Sequence, residues 1–379
     1  MIRWRSGIVT ASRREWAGAA EFMVTVDGAA VRALAYPALT GTPRVGDRVL
    51  LNVSALERGL GTGGYAFVVA IPDRLPPDPG SGEPGSGEAG PGEPGHGEPA
   101  SPPAGHIVKS RYTPLQAMVA SADEQGSPYY EVLRDASSVD GMPVVVADLH
   151  SALPAILAGL FGQASPPPFR VAYVMQDGGA LPAWFSRTAA GLREAGWLAG
   201  TVSTGQSFGG DIEAVTVHNG LLAARHVLGA DAAIVTQGPG NLGTGTRWGF
   251  SGVAAGEAVN AISVLRGRAV ASLRVSFADA RDRHRGISHH SLTAYGQVAL
   301  AAADVVLPGL AEPLGDQIAA QAAPLGARHR LVTVPVDGLE DALRDCPVPL
   351  STMGRALDED LAYFLAAAAA GRHAAHLLG

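Results

Sequence analysis

Short apolar runs alternate with turn-forming residues over the first 75 residues of the chain. The runs contain β-branched side chains and are separated by Gly, Pro or Asp, as is typical of short strands. Asp27-Gly28 lies between two of them and favours a tight hairpin. Five strands at this spacing predict a small antiparallel β-barrel. The predicted strands are residues 7–10, 21–26, 31–36, 48–53 and 66–70.

Beyond residue 105, apolar strands alternate with helical stretches. Such alternation is typical of a mostly parallel sheet flanked by helices, so the fold class is predicted to be α/β. Folds of this kind bind ligands beyond the carboxyl ends of their strands, which makes the loops there the candidate sites. The predicted strands are 143–147, 170–175, 200–203, 231–236, 269–275 and 304–307, and the predicted helices are 186–195, 212–228 and 254–265.

A segment rich in Gly, Pro and Glu, residues 76–105, separates the two patterns. It has 18 Gly or Pro among 30 residues and no aromatic or β-branched side chain. Such a segment cannot offset the entropy of ordering, so it is predicted to be a flexible linker. The predicted organisation is therefore a barrel at 1–75, a linker at 76–105 and an α/β domain at 106–379.

The charge distribution limits the partners that are expected. The five acids of the linker account for -5 of the formal net charge of -7, and elsewhere 28 bases face 30 acids. A nearly neutral body has no field that would attract nucleic acid or an anionic membrane. No apolar run approaches the ~18 residues of a membrane helix. The single Cys346 cannot form an internal disulfide, which favours a reduced, cytoplasmic location.

A glycine-rich loop, residues 236–247, follows the predicted strand 231–236 and contains one G-x-G-x-x-G pattern. Glycines allow backbone N–H groups to turn toward an anion, and a following helix adds a favourable dipole. A dinucleotide site would require an acid about 20 residues further on. The first acid at a strand end is instead Asp279, some forty residues on, so the dinucleotide pattern is incomplete. The loop predicts nucleotide or phosphate binding of some kind. The alternative is a wide turn with a solvated arginine. The predicted ligand-binding residues here are Gly238, Gly240, Asn241, Gly243 and Arg247.

A second loop, residues 279–291, concentrates charge and histidine in a chain that has only 17% charged residues. Histidine supplies proton transfer or metal ligation, and arginine supplies fixed positive charge for an anion. Neighbouring histidines diverge on a helix, so a shared metal does not follow from this spacing, and the metal and cofactor stay open. The alternative is a solvated Arg/Asp network with a helix cap at Ser288. The predicted catalytic residues are Asp279, His284, His289 and His290, the predicted anion-binding residues are Arg281 and Arg285, and the candidate additional metal donors are Asp148, His150, Asp177 and Asp211.

A third loop, residues 205–209, matches the G-x-S-x-G nucleophile elbow. In this alternative Ser207 would be the nucleophile of a serine hydrolase, with Asp304 and His329 as examples of downstream partners. The competing interpretation is a polar loop in which Asp211 caps the next helix.

Several of these motifs together resemble an uncharacterised bacterial family that is known only as a domain of unknown function. The resemblance covers nearly the whole chain apart from the acidic linker, which looks like an insertion. It implies no activity and no catalytic residues. The motifs that carry it are 60–65, 105–109, 111–116, 236–241 and Ser288-His289-His290.

Two classes of function are compatible with these observations. The first is an enzyme, a hydrolase or transferase, that binds a small phosphate-bearing ligand at the strand-end loops and uses histidine or metal chemistry. The second is a non-catalytic scaffold that recognises a protein partner, favoured by the low charge and an alanine-rich, exposed-looking helix at 355–370. A homo-oligomer is compatible with either class.

Overall fold

The computed structural model describes residues 2–60, 63–75, 105, 107–113, 115–164 and 166–379. The chain divides into two units, Met1–Ala120 and Ser121–Gly379. The predicted linker 76–105 lies outside the described residues except for Gly105. Among the described residues, no helix combines the length and apolar character needed to cross a membrane.

The first unit contains the predicted five-stranded barrel. Its strands close in the order β1-β2-β3-β5-β4, and β3 pairs with β5 in parallel while the other pairs are antiparallel. Alternate side chains fill the interior, among them Phe22, Val24 and Leu51. The elements are β1 (Trp4–Trp16), β2 (Ala19–Val26), β3 (Ala29–Ala35), α1 (Pro37–Thr40), β4 (Arg48–Asn52), β5 (Ala66–Ala70) and a separate hairpin of β6 (Ile107–Lys109) and β7 (Ala117–Val119).

Two differences from the predicted barrel have local causes. β1 spans Trp4–Trp16, whereas the sequence predicts only residues 7–10. Two irregularities in its pairing with β2 interrupt the alternation of apolar and polar side chains, so the sequence pattern reveals only part of the strand. The β3–β5 pair is parallel, which a pattern of apolar residues does not specify.

The second unit is the predicted α/β fold. Its strands are β8 (Pro143–Val146), β9 (Val171–Gln176), β10 (Gly200–Ser203), β11 (Ile212–Glu213), β12 (Ala232–Gln237), β13 (Arg268–Ser272), β14 (Val275–Ser276), β15 (Gly286–Ile287), β16 (Asp304–Gly309), β17 (Arg330–Pro335), β18 (Ser351–Thr352) and β19 (Arg355–Ala356). Its helices are α2 (Tyr130–Leu133), α3 (Leu153–Phe161), α4 (Arg187–Glu194), α5 (Val217–His226), α6 (Ala254–Val264), α7 (His289–Thr293), α8 (Leu314–Ala322), α9 (Leu339–Arg344) and α10 (Leu361–His376).

Eight strands form one parallel sheet in the order β11-β10-β9-β12-β8-β13-β16-β17. Side chains alternate between its two faces, so Val144 and Val146 join the core beneath α5, α6 and α8. Val145 joins the opposite core, beneath α3, α4, α9 and α10. The central strands are therefore covered on both sides, which explains their continuous apolar runs.

The strand order reverses direction at β8. In open α/β sheets the carboxyl edge at such a reversal forms a crevice, and this edge of the sheet is called the crevice below. From β9 the chain runs outward to β11, returns to β12, crosses over β8 and then continues outward on the other side through β13, β16 and β17. The β8–β13 pairing ends at Val146 and Ala271. There the buried hydroxyl of Tyr295 lies 2.9 Å from the Val146 oxygen and 3.1 Å from the Ser272 oxygen. Ligand sites of open α/β sheets lie at such switch points.

Two predicted helices need correction. Residues 212–228 begin as strand β11, and α5 starts only at Val217, where Thr216 rather than Asp211 is the N-cap. The alanine-rich helix predicted at 355–370 is α10, which begins only at Leu361, after β19 and a 3-10 turn, and it is buried rather than exposed. Gly159 and Gly371 let α3 and α10 approach so closely that an added Cβ would overlap a backbone carbonyl of the facing helix. Alanine-rich helices pack in this way because small side chains allow close contact.

Candidate functional site

Three loops converge at the crevice beside β8. The loop after β12 ends at Phe250, whose ring stacks flat on the imidazole of His290, with 3.8 Å between the ring centroids. Gly252 packs against Asp148 in the loop after β8, where an added Cβ would lie 3.0 Å from the Asp148 Cβ. The sequence left the convergence of these loops open, and the strand order brings them together.

His284, His289 and His290 form one cluster in the loop after β13. One ring nitrogen of each lies within 4.8 Å of the others. The ring centroid of His284 is 5.0 Å from each of the other two, which are 4.4 Å apart. The expectation that the imidazoles of His289 and His290 diverge is wrong, because their ring centroids are only 4.4 Å apart. His284 comes from the preceding turn and lies against both rings.

A small antiparallel ribbon closes the histidine loop. β14 and β15 pair with each other, so the ends of the intervening segment lie side by side. Gly286 adopts a φ of 71°, a left-handed conformation that favours glycine. Gln321 on α8 supports the ribbon, because its Oε1 accepts the N–H of Ile287 at 2.7 Å. A short 3-10 turn, Asp282–His284, then brings His284 into the cluster.

Ser288 orients two of the histidines. As the N-cap of α7, its Oγ accepts the backbone N–H of His290 at 3.2 Å. The same Oγ lies 2.8 Å from Nδ1 of His284 and can accept the proton of that nitrogen. This tautomer leaves the Nε2 lone pair of His284 free to bind a cation. A helix cap at Ser288 is the alternative that the sequence offers to a functional histidine loop. The structure contains both the cap and the histidine cluster.

The environment keeps the three imidazoles neutral. Burial, followed by the charge of Arg274, lowers the pKa of His284 and of His290 to about 3. Burial also lowers the pKa of His289, and nearby arginines add to this effect. Neutral imidazole is the form that binds metal ions.

Several buried polar atoms of this region have no hydrogen-bond partner among the residues that the structure describes. They point to a ligand, because buried polar groups in native proteins are almost always satisfied. Burial raises the pKa of Asp148, although the charge of Arg274 opposes the rise. Its Oδ2 lies 3.8 Å from Nδ1 of His290. The unsatisfied atoms are Asp148 Oδ2, Gln237 Oε1, Arg274 Nη2, His289 Nε2 and His290 Nδ1.

Asp279, a predicted catalytic residue, binds arginine side chains. Arg281 donates to both of its carboxylate oxygens, at 2.9 and 2.7 Å, and its hydrogen bonds hold the pKa of Asp279 well below the usual range. Arg274 and Arg355 lie 3.6 and 3.8 Å from the same carboxylate. In this structure Asp279 positions arginines, and the guanidinium of Arg281 is committed to it.

The glycine-rich loop is followed by the predicted helix, but it does not lead directly into it. Residues 241–250 form an excursion closed by a bridge between Gly243 and Phe250, and α6 starts at Ala254, where the sequence predicts it. Gly238 packs on Ala180, where a Cβ would overlap the Ala180 carbonyl oxygen. Asn241 accepts the hydroxyl of Ser251 at 2.8 Å. The contact of Gly238 gives this glycine a packing role between the loops after β9 and β12.

The remaining predicted anion-binding residues lie further out. Gly240 has a φ of 85° and is exposed at the start of the excursion. Arg247 is exposed on the same excursion, and Arg285 is exposed on the histidine loop. Gly245 lies beside the guanidinium of Arg283, which is a second contact between the excursion and the histidine loop, in addition to the stacking of Phe250 on His290.

The other candidate metal donors face different neighbours. His150 is buried, with its ring nitrogens 3.0 Å from the Tyr173 hydroxyl and 2.7 Å from Ser186 Oγ, and burial lowers its pKa to about 4. Asp177 accepts the N–H of Gln206 in the loop after β10. Asp211 accepts the N–H of Thr201 at 2.7 Å. Of the four predicted donors, Asp148 lies against the histidine cluster.

Ser207 does not meet the partners named for it. Its hydroxyl is fully buried and donates within its own turn, 2.6 Å from the Thr204 carbonyl oxygen. Ser207 follows the carboxyl end of β10, whereas Asp304 begins β16 and His329 precedes β17, at the amino ends of the parallel strands. The proposed Ser207, Asp304 and His329 arrangement is therefore wrong.

Sequence reasoning missed Arg274, Gln237 and Phe250. Arg274 carried a usable signal, because a charged residue within the apolar run 269–275 must be paired when it is buried. It is only 4% exposed. Gln237 and Phe250 carried no such signal, since their place in the site depends on the strand order.

Comparisons with known proteins identify a family. A search of curated proteins found no significant match. A family model described as a protein of unknown function, DUF3866, matches residues 32–371, which include part of the barrel and nearly all of the α/β unit. The chain therefore belongs to the DUF3866 family of proteins of unknown function.

Proposed function

We propose that the protein is a metal-dependent hydrolase that acts on a small anionic substrate at the crevice beside β8. The observation that carries this proposal is the cluster of His284, His289 and His290, whose ring nitrogens lie within 4.8 Å of one another. The unsatisfied Asp148 carboxylate beside it is the second support. A reduced, cytoplasmic location, which the single Cys346 favours, is part of the same proposal.

The donor set suits a zinc-like ion. Three neutral histidines are the protein ligands of one type of catalytic zinc site, with a fourth position left for water or substrate. Ligand atoms ~2.0 Å from a tetrahedral ion lie roughly 3.3 Å apart. Nitrogens within 4.8 Å of one another can reach this spacing by small side-chain rotations. Ser288 and Phe250 hold two of the rings in place, as outer partners of metal ligands do.

The surrounding residues suit hydrolysis. A divalent metal ion in such a site polarises a substrate oxygen and lowers the pKa of a bound water molecule. Asp148 can accept or return a proton at Oδ2, because burial raises the pKa of its carboxyl group toward neutral pH. Arg274, held near the cluster, favours a substrate of negative charge.

Metal binding tests the first half of the proposal. The purified full-length protein is expected to bind one Zn²⁺ or Co²⁺ per chain, measured by elemental analysis and by the visible spectrum of the cobalt form. His289→Ala is expected to weaken binding by at least about tenfold, because it removes a ligand. His218→Ala is the matched control, since His218 is exposed on α5. Equal affinity in the wild type and in His289→Ala would contradict the metal site.

Activity tests the second half. Hydrolysis of small phosphate- and carboxylate-bearing esters and amides is expected to stop after chelation and to return with zinc. Asp148→Asn is expected to bind the metal while losing about 10²- to 10⁴-fold in rate, the usual contribution of a general base. A protein that binds the metal but hydrolyses none of these compounds would favour the alternative of a non-catalytic binding protein.

A further inference from the structure

The buried Arg274 supports the histidine segment through its backbone, and its charge lies close enough to act on the same histidines. It follows the carboxyl end of β13, and its side chain is only 4% exposed. Both polar groups of the Arg274 backbone are hydrogen-bonded. Its N–H donates to the Ser291 Oγ at 2.9 Å, and its carbonyl oxygen accepts the N–H of Ser288. The backbone of Arg274 is therefore fixed beside α7, and the charge of its guanidinium helps to lower the pKa of His284, His289 and His290.

The hydrogen-bonding capacity of this guanidinium is incomplete. Among the residues that the structure describes, Nη2 of Arg274 has no hydrogen-bond partner. The nearest carboxylate oxygen, Oδ2 of Asp279, lies 3.6 Å away, beyond an ordinary hydrogen bond. That oxygen already accepts a bond from Arg281 at 2.7 Å. An arginine normally uses its paired N–H groups to bind carboxylate or phosphate oxygens.

The neighbouring arginines differ from Arg274 in exposure and in partners. Arg281 donates to Asp279 at 2.7 Å, and Arg355 donates to Asp360 at 2.9 Å. Their side chains are 41% and 23% exposed, whereas that of Arg274 is 4% exposed. A buried charged group without a hydrogen-bond partner is costly, so Nη2 of Arg274, unpartnered among the described residues, points to an anion there.

We propose that Arg274 binds the oxyanion of the substrate, a carboxylate or a phosphate group, beside the histidine cluster. This inference rests on the proposed function for the identity of the neighbouring metal, but the anion site itself is formed by the arginine. It makes Arg274 the residue that selects an anionic substrate. The exposed Arg247 and Arg285 are not required for it.

The experiment uses inorganic phosphate and malonate as probes on the full-length protein. Binding of each is measured by calorimetry on the metal-free protein and, separately, by the change in the visible spectrum of the cobalt form. Arg274→Gln is expected to weaken binding of the preferred probe by at least about tenfold, since it removes a charge-assisted hydrogen bond. Arg266→Gln removes the same charge from an exposed residue that precedes the amino end of β13, and it is expected to bind as the wild type does. The probe that binds more tightly distinguishes phosphate from carboxylate recognition.

The outcomes separate the two proposals. Unchanged probe affinity in Arg274→Gln, or an equal loss in Arg266→Gln, would overturn the role of Arg274 even if cobalt binds normally. Absence of cobalt binding together with an Arg274-dependent phosphate site would overturn the metal but retain the anion site. Arg274→Lys keeps the charge and replaces the glutamine variant if that variant does not fold; it is expected to bind the probes more weakly, because a single ammonium cannot donate in the paired geometry.

Discussion

At the scale of single residues, Ser288 performs two tasks with one oxygen atom. It caps α7 by accepting the N–H of His290, and it lies within hydrogen-bond distance of Nδ1 of His284. The oxygen atom that caps α7 therefore also holds the imidazole of His284 in the cluster. Ser288 is a positioning residue, because it acts through the histidines.

Ser288→Ala separates the two tasks. Loss of the cap is expected to lower the free energy of unfolding by about 0.5–2 kcal/mol in the absence of metal. Loss of the bond to His284 is expected to weaken zinc binding by about 10- to 100-fold. Thr216→Ala is the matched control, because Thr216 caps α5 by accepting the N–H of Asn219. Urea unfolding and zinc titration of both variants provide the measurements. Equal zinc affinity in the two would contradict the positioning role.

The candidate residues differ in how visible they are in the sequence. His284, His289 and His290 could be identified because they lie together with two acids and three arginines in one short loop of a chain that is otherwise poor in charge. Their mutual contact could not, since it depends on the turn Asp282–His284. The anion-binding role predicted for the exposed Arg247 and Arg285 stays untested, and the buried Arg274 was masked by the apolar residues around it.

At the scale of secondary-structure elements, α3 and α10 are packed through glycine. Gly371 faces the Ile156 carbonyl so closely that an added Cβ would overlap it. Alanine stabilises an isolated helix by about 1 kcal/mol relative to glycine. Gly371→Ala is nevertheless expected to lower the free energy of unfolding by about 1–3 kcal/mol, because overpacking against a backbone atom requires the helices to separate.

Gly191→Ala in α4 is the matched control for this helix contact. The atom nearest to its added Cβ is a methyl carbon of Val348, which can move more easily than a backbone carbonyl. Its unfolding midpoint in urea is expected to fall less than that of Gly371→Ala. The reverse order would show that the α3–α10 contact tolerates a larger separation.

The barrel contains an ion pair that links its stability to pH. Burial alone would raise the pKa of Glu21, but hydrogen bonds from Arg32 at 3.0 Å and Tyr65 at 3.2 Å outweigh it and lower the pKa below 4.5. A carboxyl whose pKa is lowered by folding stabilises the protein above its unfolded pKa, and this contribution is lost as the pH falls through the folded value.

Glu21→Gln is therefore expected to lower the free energy of unfolding at pH 7. It is also expected to make that free energy fall less steeply as the pH drops below ~4.5. Urea unfolding at a series of pH values between 7 and 3 measures this difference. Glu15→Gln, at an exposed position of β1, is expected to retain the wild-type profile. Parallel profiles for the wild type and Glu21→Gln would rule out the linkage.

At the scale of the whole molecule, the sequence predicts the elements better than it predicts their arrangement. Strand 200–203 is found with the predicted bounds, because the β-branched Thr201 and Val202 lie between Gly196 and Gly205, which adopt positive φ in turns on either side. The position of β8 between β12 and β13 has no local signal, since it arises from a crossover. The crevice and the convergence of its loops follow from that crossover, so the site could be anticipated as a set of loops but not as a cluster.

The metal proposal makes a prediction about the stability of the entire chain. A ligand that binds only the folded state stabilises it by about 2.7 kcal/mol at a free concentration of 100 times Kd. For units of this size each kcal/mol raises the midpoint of thermal unfolding by about 2–4 °C, so zinc is expected to raise it by roughly 5–10 °C. His289→Ala is expected to show no such rise, because it lacks one ligand of the cluster. Mg²⁺ is the control ion, since it prefers oxygen ligands and should leave the midpoint unchanged. Differential scanning calorimetry with and without a chelator measures these midpoints. An equal rise with Mg²⁺, or in His289→Ala, would mean that the stabilisation comes from cation binding elsewhere on the chain.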